Sequence, residues 1–324
     1  MIEVSYQSCL EQHPVKMQTI ISRLILCIFF VAKSQQLPSS LSISTNTTAA
    51  DIPCGTSDFS EIPHNDKWAN IDEYPWMAQL IYENATHPVC EGALISNSFV
   101  VTAAHCLAGS MLQKVGDLKF VRLGEYDVQN DPDCIIINDQ YLECTDGIID
   151  VRPKSIIVHP DYQAHSSSQD HNIGLIELNH PVEFSDFIRH ICLRTVDSGM
   201  MGAIMFESGW GRLNRLVEGE LTSVSIPLKL KKKLTYIDHD TCSKTYRSLQ
   251  VQLTSDQICA ADRRSKDSYN GNIGSPLMQF DMKKAAWVLT GLRDTQHCEN
   301  CTNPGIYTNV HKYVQWIKTN AQLQ

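Results

Sequence analysis

Three groups of residues in this chain could do chemistry. His105, at the end of the small-residue run Val101-Thr102-Ala103-Ala104, offers an imidazole that can act as a base near neutral pH. Nucleophilic catalysis would need a hydroxyl or thiol within its reach and an anionic group to hold its tautomer. Glu125, Asp127, Asp131, Asp133, Asp139 and Glu143 crowd one acidic stretch, a set of hard oxygen donors that could hold calcium. Lys229, Lys231, Lys232 and Lys233 form a short basic run, read as a solvated loop with partner docking as the rival.

The elements that must position these groups are short. Of the 324 residues, 43% are apolar and 19% charged, enough for a sizeable core. A net charge of −9 without a concentrated basic stripe argues against nucleic acid. After Cys54, brief apolar stretches such as WMAQLIYE, KFVRLGEY, NIGLIEL, SPLMQF and AWVLTGL alternate with turn residues. Regularly spaced short strands of this kind predict an all-β sandwich or barrel. Tyr313, Trp316, Ile317 and Ala321 recur at helical spacing and predict a closing helix.

The N-terminal stretch reads as an export signal. Residues 24–32 (LILCIFFVA) are apolar, follow Lys16 and Arg23, and lead to Ala32-Lys33-Ser34. The run is too short to span a bilayer and fits a signal-peptide core, with Met17 as the start. Segment 1–34 is therefore assigned to the signal and 35–61 to a flexible leader. The mature protein is expected to be secreted, without a membrane span. Removal of Cys9 and Cys27 leaves ten of the 12 cysteines, in line with an oxidising compartment. Asn46, Asn84 and Asn300 lie in Asn-X-Ser/Thr sequons.

Val101-Thr102-Ala103-Ala104-His105-Cys106 resembles the histidine motif of the chymotrypsin/trypsin-like serine proteases. Tyr74-Pro75-Trp76-Met77, Gly124-Glu125-Tyr126-Asp127, His159-Pro160-Asp161-Tyr162, Gly209-Trp210-Gly211 and Pro304-Gly305-Ile306-Tyr307 follow the family order. The resemblance covers roughly 54–322. Its texture is similar to that of insect clip-type proteases through the extra Cys134 and Cys144, although no clip domain is visible. It implies two six-stranded antiparallel barrels with a C-terminal helix in 62–324, and a cleft between them. It also implies the pairs Cys54–Cys192 (tethering the leader), Cys90–Cys106, Cys134–Cys144 and Cys242–Cys259. Each such staple is worth about 2–4 kcal/mol. Cys298 loses its family partner, because that position is Tyr269. Cys301 is its remaining mate, or both stay free thiols.

Residue by residue, the resemblance makes His105 the base, residue 172 the orienting carboxylate and residue 273 the nucleophile. The chain has Asn172 and Ile273. An isoleucine has no proton to give and no lone pair to attack with. Loss of a triad serine costs about 10⁶ in turnover, and aspartate to asparagine about 10⁴. Ser275 lies two residues on, about 6.6 Å along an extended chain, and is read as a loop residue replacing glycine. The region where activating cleavage would fall reads Glu61-Ile62-Pro63-His64-Asn65-Asp66, without Arg or Lys. The aspartate that would receive the new ammonium is Asn272. Without that pair the backbone donors at Gly271 and residue 273 are expected to lack order. Asp267 matches the carboxylate of a basic-residue pocket and is read as a vestige of it or as a solvated acid. The opposite wall, from Arg293 through His297, departs from the family pattern.

These residues predict a secreted, non-catalytic serine protease homologue that binds cascade proteases or their substrates, in processes such as melanisation and innate immunity. Calcium at Glu125, Asp127, Asp131 and Asp133 is the one cofactor alternative; otherwise none is expected. The alternatives for function are an active trypsin-like endopeptidase and a secreted binding protein using this scaffold outside immunity.

Overall fold

Short, largely buried apolar runs, punctuated by glycine, proline and polar turns, set the strand boundaries. The computed structural model describes residues 52–57, 67–137, 141–164, 166, 170–195, 203–217, 220–262, 268–294 and 303–323. The first half contains β1 (Met77–Tyr82), β2 (Cys90–Leu94), β3 (Phe99–Thr102), β4 (Leu118–Leu123), β5 (Cys134–Ile137), β6 (Tyr141–Cys144), β7 (Ile149–Val151), β8 (Pro153–Val158) and β9 (Gly174–Leu178). The second contains β10 (Cys192–Leu193), β11 (Ile204–Gly209), β12 (Arg212–Val217), β13 (Glu220–Ser225), β14 (Leu230–Ile237), β15 (Gln257–Ala261), β16 (Ser268–Asn270), β17 (Pro276–Asp281), β18 (Ala286–Arg293) and β19 (Gly305–Asn309). A 3₁₀ turn, Val310–Tyr313, leads into the closing helix Val314–Ala321, which buries Ile317 and Ala321.

The first sheet runs β7-β4-β1-β2-β3-β9-β8. Its two end strands are one chain bent at Arg152, so the sheet closes on itself as six strands. Pro153, which has no N–H to give a ladder, opens β8 at that corner. The second sheet runs β10-β18-β17-β11-β14-β15-β19 and is closed by pairing of β18 with β19. Its ring is again six strands, with the two-residue β10 added parallel to β18. β18 is buried at every position, as a strand flanked on both edges and covered on both faces must be. Outside the two barrels, β13-β12-β16 form a small sheet and β5-β6 a separate hairpin.

Tyr74, Trp76 and Trp287 are wholly buried, the Tyr74 ring standing edge-on to Trp287 at 5.2 Å. Disulfides join Cys54 to Cys192, Cys90 to Cys106, Cys134 to Cys144 and Cys242 to Cys259. The first fixes the segment around Gly55, whose carbonyl accepts the Trp287 N–H at 2.9 Å. Gly55 has φ +68°, and a Cβ there would stand 2.3 Å from the Trp287 carbonyl oxygen, so only glycine fits. Three of the four lysines of the basic run lie on a strand rather than in a loop. Lys231, Lys232 and Lys233 lie on β14, Lys231 bonds Glu73 at 2.8 Å, and Lys229 is buried beside the acidic loop. Burial pushes the Lys229 ammonium down to about 8.

Candidate functional site

His105 sits in the 3₁₀ turn Ala104–Cys106, directly after β3. Two covalent or polar anchors hold that turn: the Cys90–Cys106 disulfide and the Tyr82 hydroxyl, which donates to the Cys106 carbonyl at 2.7 Å. The His105 ring is half-buried. Burial, and then the Lys114 charge, lower its pKa and favour the neutral imidazole. Among the described residues no hydrogen bond reaches the ring.

Asn172 is completely buried two residues before the start of β9. His171 before it is left-handed at φ 55°, an uncommon state for a non-glycine residue, and its Nδ1 meets the Tyr313 hydroxyl at 3.0 Å. The Asn172 Oδ1 accepts the main-chain N–H of His105 at 2.8 Å, so it supports the turn's backbone. Its Nδ2 donates to the Asp294 carboxylate, which also receives the Gln257 amide. The site therefore does hold a buried carboxylate, one step away from position 172. Burial pushes Asp294 up to about 7, and the two amide donors pull it back only in part.

Ile273 is half-buried and packs against the first-barrel core. Its carbonyl accepts the Glu91 N–H at 2.9 Å, forming an isolated parallel bridge with β2. Gly274 follows at φ +83°. A Cβ there would lie 2.1 Å from the Glu91 carbonyl oxygen, so the chain can pass only as glycine.

The loop at 271–275 is not left without an organising pair. Glu91, on β2 and fully buried, accepts the Trp210 N–H at 2.8 Å and the Asn272 Nδ2 at 2.9 Å through one oxygen. Its other oxygen accepts the Ser275 hydroxyl at 2.7 Å. Three donors thus converge on one carboxylate, and the loop's order comes from inside the chain. Burial lifts Glu91 to about 7 against the pull of those donors. Ser275, also fully buried, is held by Glu91 and is no free loop hydroxyl.

A buried ion pair stands behind the loop. Arg293, at the end of β18, makes two bonds to Glu207 on β11, and its Nη2 also donates to the Tyr307 hydroxyl at 2.9 Å. That hydroxyl in turn donates to Glu207 at 3.2 Å. A Cβ on Gly271 would strike Glu207 Oε1 at 2.4 Å and approach Arg293 Nε at 3.2 Å, so the pair lies flush against the loop backbone.

In the acidic loop the four carboxylates named for calcium have local partners, save one oxygen of Asp133. Asp127 accepts from Gln129 and Asn130, Asp131 from Ile148, and Asp133 Oδ2 from the N–H groups of Tyr126 and Asp127. Glu125 is buried against Asp133 and pushed up to about 7, chiefly by burial. Asp133 Oδ1 is buried without a hydrogen-bond partner. Among the described residues no three His, Cys, Asp or Glu side chains gather so as to hold a metal ion. Asn84 lies exposed in the turn after β1. Asp267, Asp139, Cys298, Cys301, Asn46, Asn300, the wall residues 295–297, the junction at 61–66 and the signal segment lie outside the described residues.

A hollow of about 610 Å³ is lined by His159, His171, Asp256, Lys312, Tyr313 and Trp316, among others. Its His159 and His171 rings stack at 4.9 Å. Sequence reading missed it, because its residues come from three distant segments.

The trypsin family model matches residues 65–317. The chain belongs to the trypsin family. Among its trypsin-family relatives, CLIP domain-containing serine protease B8 of Anopheles gambiae is 43% identical over 274 residues, 82% of this chain and 67% of that protein. The phenoloxidase-activating enzyme of Bombyx mori is 36% identical over 78% of this chain and 59% of its own length. The crystal structure of the drosophila Grass clip serine protease of the Toll pathway superposes with a TM-score of 0.68 at 28% identity, covering 84% of this chain and 75% of that one. Against these two relatives the chain spans 59% to 67% of their length. No described helix is long and apolar enough to cross a membrane.

Proposed function

We propose that this trypsin-family chain is secreted, does not cut peptide bonds, and acts by binding proteins of an extracellular protease cascade. One observation carries the reading. Where the family's nucleophile would stand, the side chain is that of Ile273, and the nearest hydroxyl along the chain, Ser275, is tied to Glu91. His105 then has no proton to accept from a nucleophile, and Asn172 gives its oxygen to the backbone rather than to the imidazole. The cascade is proposed from the relatives, one of which is a phenoloxidase-activating enzyme.

Hydrolysis of Arg and Lys peptide esters by the purified chain, set against a His105→Ala variant, tests the reading. Equal background rates are expected from the two. A rate that depends on His105 would overturn it. Capture of partners from haemolymph after microbial challenge separates an immune role from binding elsewhere: recovery of cascade proteases is expected, and recovery of none contradicts the cascade assignment.

A further inference from the structure

Among the described residues the β5–β6 hairpin is a two-stranded sheet that no third strand joins. Its base is stapled where Cys134 pairs with Cys144, which restrains the two strands before any encounter. Ile136 and Leu142 are direct cross-strand partners, hence on the same face, and each is about 70% exposed, at 70% and 69%. Tyr141 beside them is 68% exposed on the opposite face. Large apolar side chains side by side on an open two-stranded ribbon mark an interaction surface more than a folding need.

Charge says what fits there. From residue 124 to 150 the chain has eight acids, Glu125, Asp127, Asp131, Asp133, Asp139, Glu143, Asp146 and Asp150, and no Lys, Arg or His. Arg122 offsets part of this through Asp150 and Glu125, and Glu125 and Asp133 are buried beside Lys229, which leaves Asp131 and Asp146 among the exposed acids. A second copy would bring the same acids against these, which disfavours self-pairing. An acidic lipid surface would be repelled likewise.

We propose that the β5–β6 hairpin docks an extended, basic segment of a partner protein, its apolar side chains covering Ile136 and Leu142 and its Lys or Arg residues meeting the surrounding acids. The open strand edges offer main-chain pairing, and the exposed pair offers side-chain selection. The proposal extends the binding role argued above, but it does not depend on the catalytic question, which ester hydrolysis reads separately.

The test uses the full secreted chain and a random dodecapeptide library on phage, depleted on the Ile136→Ser/Leu142→Ser variant before selection on the native protein. Enriched peptides should carry net positive charge with apolar residues at alternate positions. In fluorescence polarisation they should bind the double variant at least tenfold more weakly and lose affinity as salt rises. The double variant should melt at the native temperature, because both side chains are exposed. Neutral or acidic enriched peptides, or affinities unchanged in the double variant, overturn the proposal. A native dimer in sedimentation that the double variant abolishes overturns it in favour of self-pairing.

Discussion

Glu91 and Ser275, 184 residues apart, meet through a 2.7 Å hydrogen bond in which the serine hydroxyl donates to a fully buried carboxylate. The same carboxylate holds Asn272 and the Trp210 main chain. In the family scheme the loop waits for an ammonium released by cleavage. Here an acid on β2 and an amide in the loop make the contact without any cleavage.

That contact has a pH signature. Glu91 is lifted from an ordinary 4.5 to about 7, so between those values the folded chain keeps a proton that the unfolded chain releases. Its contribution to stability is fully present below about 4.5 and is lost as pH rises through about 7. Glu91→Gln removes the titration while keeping the hydrogen bonds. The melting temperature of Glu91→Gln relative to native should therefore climb from about pH 5 to about pH 8 in paired thermal scans. Glu91→Ala should lose at least about 2 kcal/mol throughout, since three buried donors are left unmatched.

Restoring the nucleophile alone should not restore activity. In Ile273→Ser the loop is already ordered by Glu91, but the His105 ring gains no carboxylate, and that lack alone is worth about 10⁴ in turnover. Active-site titration of Ile273→Ser should stay near background.

Restoring the carboxylate alone should harm the fold. Asn172 donates to the buried Asp294, so Asn172→Asp would set two carboxylates face to face. A loss of about 2–3 kcal/mol is expected in denaturant melts near pH 7.5. Asn172→Asp with Asp294→Asn reverses the donor and acceptor and should recover most of it. Recovery by the double variant is the outcome that distinguishes this coupling from simple damage.

The Arg293–Glu207 pair should behave as a buried ion pair. Arg293→Leu strands the Glu207 charge and should cost about 3–5 kcal/mol, whereas adding Glu207→Gln removes that charge and should return most of the stability. Chemical denaturation of the two variants checks it.

The barrels were legible in the sequence because short apolar strands and ordered motifs carry local signals. Asn172 and Ile273 were legible because the motifs around them fix their positions. Glu91 was not. In Cys90-Glu91-Gly92 it reads as one polar residue in a strand, and only the fold reveals that Trp210, Asn272 and Ser275 arrive from far along the chain to bond it. A faint clue existed: a charge among small and apolar residues must find buried partners. Glu207 and Arg293 share this history, since nothing local in either strand names the other. The lysine run misled for the opposite reason, because a charged stretch can still be a strand when its ammonium groups find acids across the fold, as Lys231 does with Glu73.

Mass measurement of the intact chain after exposure to a fluorophosphonate tests the central claim most directly, because the reagent bonds only to an activated hydroxyl. The account predicts an unchanged mass for the native protein and for His105→Ala alike. A single adduct on the native chain that vanishes in His105→Ala would show that a nucleophile works beside His105, and would contradict it.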